Sequence, residues 1–129
     1  MGFEPVRKTG GAPRMTANQV SVRFVKQQGR LGQVHIGPAL REALYEAGWS
    51  DDTRVATLID RDKKLLAFEP VDSGGWALAM TGDFTMWQIS ALTALKDLGA
   101  TATKTARVPA RIDGTRLIVD CASLCNGEA

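Results

Sequence analysis

The chain writes one phrase twice. "RVATLIDRDKKLL" begins at Arg54, and "RVPARIDGTRLI" begins at Arg107, 53 residues later. Each opens on Arg-Val, sets Ile-Asp at the same offset, and continues through a basic residue to two large aliphatics. The surroundings repeat as well. In each half a strand leads to a helix stopped by glycine, then a connector, then a strand hairpin. Ile36 matches Ile89, and Gly48 matches Gly99 at a slightly shorter spacing, so compensating gaps are needed inside the unit. Such a β-α-β-β unit is too small to bury its apolar faces alone. It needs a second copy, supplied by a symmetric dimer or by duplication within one chain. The expectation is an α+β fold, a small barrel with a pseudo-two-fold axis built from two β-α-β-β repeats.

Local patterns place the elements. In "NQVSVRFVKQQGR", Val20, Val22 and Phe24 alternate with polar neighbours, which predicts a half-buried strand ahead of the repeat. "LGQVHIG" predicts a second, with Val34 and Ile36 on one face. Leu40, Ala43, Leu44 and Ala47 make one apolar helical stripe, opened by Pro38 and stopped by Gly48. "RVATLID" and "KKLLAFEPV" pair across "DRDK". Leu92, Leu95 and Leu98 mark a second helix, stopped by Gly99. Pro109 argues for an edge or bulged strand in "ARVPARI". Asp113-Gly114 is a hairpin signal, and "RLIVDCA" closes the sheet. The reading is one domain over residues 19–122, with halves at about 19–71 and 76–122. A flexible basic arm (1–18) precedes it and a fraying tail (123–129) follows.

Composition excludes more than it selects. The chain has 129 residues, 44% of them hydrophobic, with 16 basic and 14 acidic residues and a net charge of +2. It holds no apolar run of membrane length, no secretory signal core and no myristoylation pattern, which gives the expectation of a cytoplasmic protein that meets no membrane. Cys121 and Cys125 are the two cysteines and His35 the one histidine, so neither a metal site nor a cofactor is expected. No nucleophile–base constellation stands out, and the paired carboxylates Asp51/Asp52 and Asp60/Asp62 read as solvated turn residues. The expectation is therefore not an enzyme.

The segment "GRLGQVHIGPALREALYEAGWSDDTRVATLIDRDKKLLAFEP" resembles the AbrB/SpoVT/MraZ family of swapped-hairpin DNA-binding domains. Gly29-Arg30, "QVHIGP", "ALREALYEAGW", "SDDTRV" and the following hairpin carry the resemblance. Leu31-Gly32-Gln33 and Gly37 depart from the family pattern. The second half, from about Met86 to Cys121, matches more loosely and lacks the Gly-Arg turn. The resemblance implies a fused, AbrB-like pair of repeats that binds duplex DNA, as a transcriptional regulator or DNA-associated accessory factor. It carries Arg30 over as a groove-reaching residue.

The residues themselves add Arg23 and Lys26 on or near the first strand, Lys63 and Lys64 at the first hairpin, and Arg107, Arg111 and Arg116 at the second. Arg7, Lys8 and Arg14 would add sequence-independent phosphate attraction. Two alternatives stand beside duplex DNA. Trp49, Trp76, Trp87, Phe24 and Phe68 would give stacking platforms for single strands if they were exposed, although core positions are the ordinary fate of large aromatics in a small barrel. An exposed strand edge would instead suit a protein partner, as in an inhibitory or accessory module of a mobile element. The chain would act as a monomer or a homodimer.

Overall fold

The computed structural model describes Phe3, residues 15–81 and residues 85–125. The basic residues Arg7, Lys8 and Arg14 lie outside the described residues, as does the end of the chain after Cys125. The elements follow the expected order: β1 (Gln19–Val25), β2 (Arg30–Ile36), α1 (Pro38–Glu46), β3 (Arg54–Asp60), β4 (Leu65–Val71), β5 (Trp76–Ala77), β6 (Ala79–Thr81), β7 (Met86–Ser90), α2 (Leu92–Leu98), β8 (Ala106–Asp113) and β9 (Arg116–Asp120). A 3-10 turn over Ala122–Leu124 follows. No helix among the described residues is long and apolar enough to cross a membrane.

All nine strands form one antiparallel sheet in the order β5-β3-β4-β9-β8-β1-β2-β7-β6. The two ends of that order, β5 and β6, are consecutive in the chain and separated only by the buried Leu78. The sheet therefore curls round until its edges are joined by backbone, a small and nearly closed barrel. Side chains alternate across each strand. Val20, Val22, Val34, Ile36, Val55, Leu66, Phe68, Trp87, Ile89, Val108, Leu117 and Val119 point inward and form one continuous core.

Two registers give the barrel its internal geometry. Along β2 and β7, His35 stands opposite Gln88, and these residues are 53 apart, the spacing of the repeated phrases. Along β4 and β9, Leu66 pairs with Val119 and Ala67 with Ile118. Two bridges complete the ring of strands. β1 bridges β2 and β8, while β5 and β6 together bridge β3 and β7. Val20 faces Val108 as Trp76 faces Val55. Leu78 separates β5 from β6 within the second bridge.

Each helix meets a hairpin distant from it in the chain. Trp49, just beyond α1, donates its indole N–H to the Thr115 carbonyl in the β8–β9 turn, at 2.7 Å. Arg61 and Lys64, in the β3–β4 turn, donate to the Asp97 and Leu98 carbonyls at the end of α2, at 2.7 and 3.0 Å. These are the carbonyls a helix end leaves without partners, at the negative end of its dipole.

Two expectations change, and one glycine gains a packing role. Pro109 does not sit on an edge strand. β8 pairs with β1 through Pro109 and with β9 from Ala110 onward, so the proline falls where the ladder changes partner. Gly32 is a working part of β2. The β1–β2 register shifts beside it, and a Cβ there would lie 2.9 Å from Gln28 Oε1 and 3.2 Å from Leu92 of α2. The tail starts later than expected, because Leu124 is buried and its carbonyl accepts from Thr101 and Ala102.

Candidate nucleic-acid interface

The outer face of β8, β1, β2 and β7 collects most of the candidate cations. Inward Val20 and Val22 leave Gln19, Ser21 and Arg23 facing out from β1. Arg107 pairs with Ser21, Ser21 with His35, and His35 with Gln88, a continuous row across four strands. Arg23 pairs with Gln33, which pairs with Ser90, in the next row. Arg30 begins β2 opposite Val25, and Lys26 is exposed in the turn between them. Arg111 lies on the same face of β8 as Arg107, four residues on. Strands β1, β2 and β7 contain no Asp or Glu, and β8 contains only Asp113 at its far end.

The other candidates are elsewhere. Lys63 is exposed in the β3–β4 turn. Lys64 is half-buried, adopts a left-handed backbone (φ 60°) and spends its ammonium on α2. Arg116 is on the outer face of β9, where its Nε and Nη2 both donate to one carboxylate oxygen of Glu69. Both have local structural duties that compete with any role at a phosphate. Spacing alone could not separate them from Arg107 and Arg23, because their partners Leu98 and Glu69 are distant in the chain.

His35 lies within the basic face but is buried, beside Gln33 Oε1 at 3.4 Å. Burial first, and then the nearby Arg23 charge, lower its pKa, so the ring is held toward its neutral form. It therefore adds little charge to the face.

The aromatics are mostly interior. Trp49, Trp87 and Phe68 are buried and Phe24 is half-buried, while Trp76 is 52% exposed. Trp87 stacks on Trp49 with centroids 6.0 Å apart and meets Tyr45 edge-on at 5.1 Å. Sequence reasoning missed what surrounds this group. Asp51, expected as a solvated turn residue, accepts from Tyr45 at 2.6 Å, Trp87 at 3.0 Å and Arg41 at 3.1 Å. The Tyr45 and Trp87 hydrogen bonds hold its carboxyl below the usual carboxylate range. The cluster ties α1 to β7, and the spacing of Arg41 and Tyr45 by one helical turn was its only sequence signal.

Cys121 is buried, and desolvation pushes its thiol up to about 12. Among the described residues no group of three His, Cys, Asp or Glu side chains could hold a metal ion. No protein-family model, curated protein or solved structure matches this chain.

Proposed function

We propose that the chain binds duplex DNA through the outer face of β8, β1 and β2, as a regulator or a DNA-associated accessory factor. The observation that carries this reading is the concentration of Arg23, Lys26, Arg30 and Arg107 on strands and a turn almost free of carboxylates. Cations gathered on one face give a local positive potential that a net charge of +2 does not express. Their backbones are fixed by strand pairing or a tight turn, so binding phosphate orders only the side chains, and Arg30 beside the turn carries the base-edge contact in this reading.

In this reading the fold is an internal duplication, a swapped-hairpin pair of the AbrB type fused in one chain. Three features support it: equivalent residues meet at His35–Gln88, a bridging strand opens each half, and helices and hairpins exchange contacts between halves. A fused pair needs no second subunit to complete its core, and the active species is then a monomer.

Fluorescence anisotropy with duplex and single-stranded oligonucleotides of equal length tests the function. Duplex binding at low salt, lost in the Arg23→Ala/Arg107→Ala double variant, is the expected result. Preference for single strands, abolished by Trp76→Ala, would transfer the reading to base stacking. An absence of binding to either would leave a protein partner as the better account.

A further inference from the structure

The two bridging strands cover their hairpins unequally. β1 runs along β8 from Ala106 to Pro109, and Asn18 extends the contact by accepting from the Ala110 amide at 2.8 Å. Met15 then packs over Gly37, directly before α1. On the opposite side β5 pairs with β3 only at Arg54 and Val55. The chain turns away there, because Gly74 and Gly75 both adopt positive φ. The outer edge of β3 from Ala56 to Asp60 therefore has no strand partner among the described residues.

A cavity of about 680 Å³ opens beside that edge. Thr57, Ile59, Trp76, Ser90, Ala91 and Leu92 are among its lining residues. Thr57 occupies the place in β3 that Ala110 occupies in β8, and Ser90 the place that Gly37 occupies before its helix. The cavity thus sits where the opposite half holds Met15 and the extended segment leading to Asn18. Trp76 is half open to solvent at its rim, and the buried Thr57 hydroxyl has no hydrogen-bond partner among the described residues.

The geometry points to a peptide-docking groove here. Its occupant is an extended segment of a partner protein that adds to the β3 edge and seats a linear apolar side chain, methionine-like, against Trp76 and Leu92. The molecule's own "MTAN" segment shows the chemistry that fills the equivalent position. Main-chain pairing gives such a site affinity, and the side-chain cavity gives it selectivity. The inference rests on the correspondence between the halves and is independent of DNA.

The test is an NMR titration of the isotope-labelled full chain with a synthetic peptide, PRMTANQ. Saturable shifts of the amides at 56–60 and 90–94 and of the Trp76 indole are expected. Replacing the peptide methionine with aspartate should abolish them. Ala94→Trp, which fills the cavity from α2, should weaken binding at least about tenfold while leaving duplex binding unchanged. Three results would overturn the proposal. The shifts could fall at Gly37 and Ala110 instead, or free indole could move the cavity resonances when the peptide does not. Those resonances could also move on dilution of the protein alone, which would make the occupant a second copy.

Discussion

Removing positive charges one at a time should separate the proposed face from the rest of the surface. Each phosphate neutralised releases counterions, so the slope of log K against log salt is about −0.9 per contact. If Arg23, Lys26, Arg30 and Arg107 each meet one phosphate, the slope is about −3.6. Affinity then falls about 150-fold between 50 and 200 mM salt. Arg107→Ala should reduce the slope to about −2.7 and that loss to about 40-fold. Lys63→Ala removes an equal charge from an exposed turn beside α2, away from the face, and should leave the slope unchanged. Arg116→Gln should also leave it unchanged, because that guanidinium is committed to Glu69. Anisotropy titrations at four or five salt concentrations read every slope directly. Equal loss of slope in Arg107→Ala and Lys63→Ala would mean that binding follows net charge, and the argument from the face would fail.

Other measurements probe the scaffold. Trp87→Ala empties the most voluminous fully buried position and should cost about 4 kcal/mol in urea unfolding. Trp49→Phe removes the indole donor to Thr115 together with part of the buried ring, and should cost about 2 kcal/mol by the same assay. Gly75→Ala puts a Cβ 2.3 Å from the Val55 carbonyl oxygen at a φ of +65°, so a loss of about 3 kcal/mol is expected, with altered amide shifts at the β3–β5 junction. His35 has a folded pKa below its unfolded value of 6.5, so the unfolded chain takes up protons first. Its contribution to stability is complete above about pH 6.5 and is lost as pH falls through the lower folded value. His35→Gln should flatten that part of a pH series of urea midpoints.

The elements were legible because local chemistry decided them. Pro38 and Gly48 bracket α1, Gly99 ends α2 with a left-handed cap (φ 88°), and Asp113-Gly114 sets the tight turn. The alternation through Val20, Val22, Val34 and Ile36 identified the core face of the first two strands. What stayed hidden depended on partners far along the chain. Nothing near Pro109 signals that β8 changes neighbours there, and nothing near Gly32 signals that Leu92 presses against it. The same blindness applied to the candidate site. Eight cations looked alike by residue type, yet Lys64 ends a helix and Arg116 answers Glu69, and only the register brings Arg107 beside Ser21 and places Arg23 in the next row.

The two phrases show how similar words come to hold different duties. Arg54 and Arg107 begin them, and both are exposed on strands. Arg54 donates through Nε to the Gly74 carbonyl at 2.6 Å and through Nη2 to the Gly75 carbonyl at 3.2 Å. It holds down the turn by which the chain leaves β3, and its charge is engaged with backbone. Arg107 has the unbroken strand β1 at its side, so no such turn needs holding, and its guanidinium faces outward beside Ser21. Four residues on, the first phrase carries Leu58, 41% exposed, and the second carries Arg111. One hairpin therefore presents an apolar residue near an open strand edge, and the other presents two arginines on a covered one. A uniformly charged barrel would offer the same invitation at both ends of its axis. In the proposed reading, the difference between the phrases suits the β8 side to a polyanion and the β3 side to a polypeptide. Arg54→Ala tests that division. It should loosen the 72–76 turn and alter peptide docking at the β3 edge, while the salt slope for duplex DNA stays where Arg107 and its neighbours set it. A lowered DNA slope in that variant would show the two sides to be interchangeable.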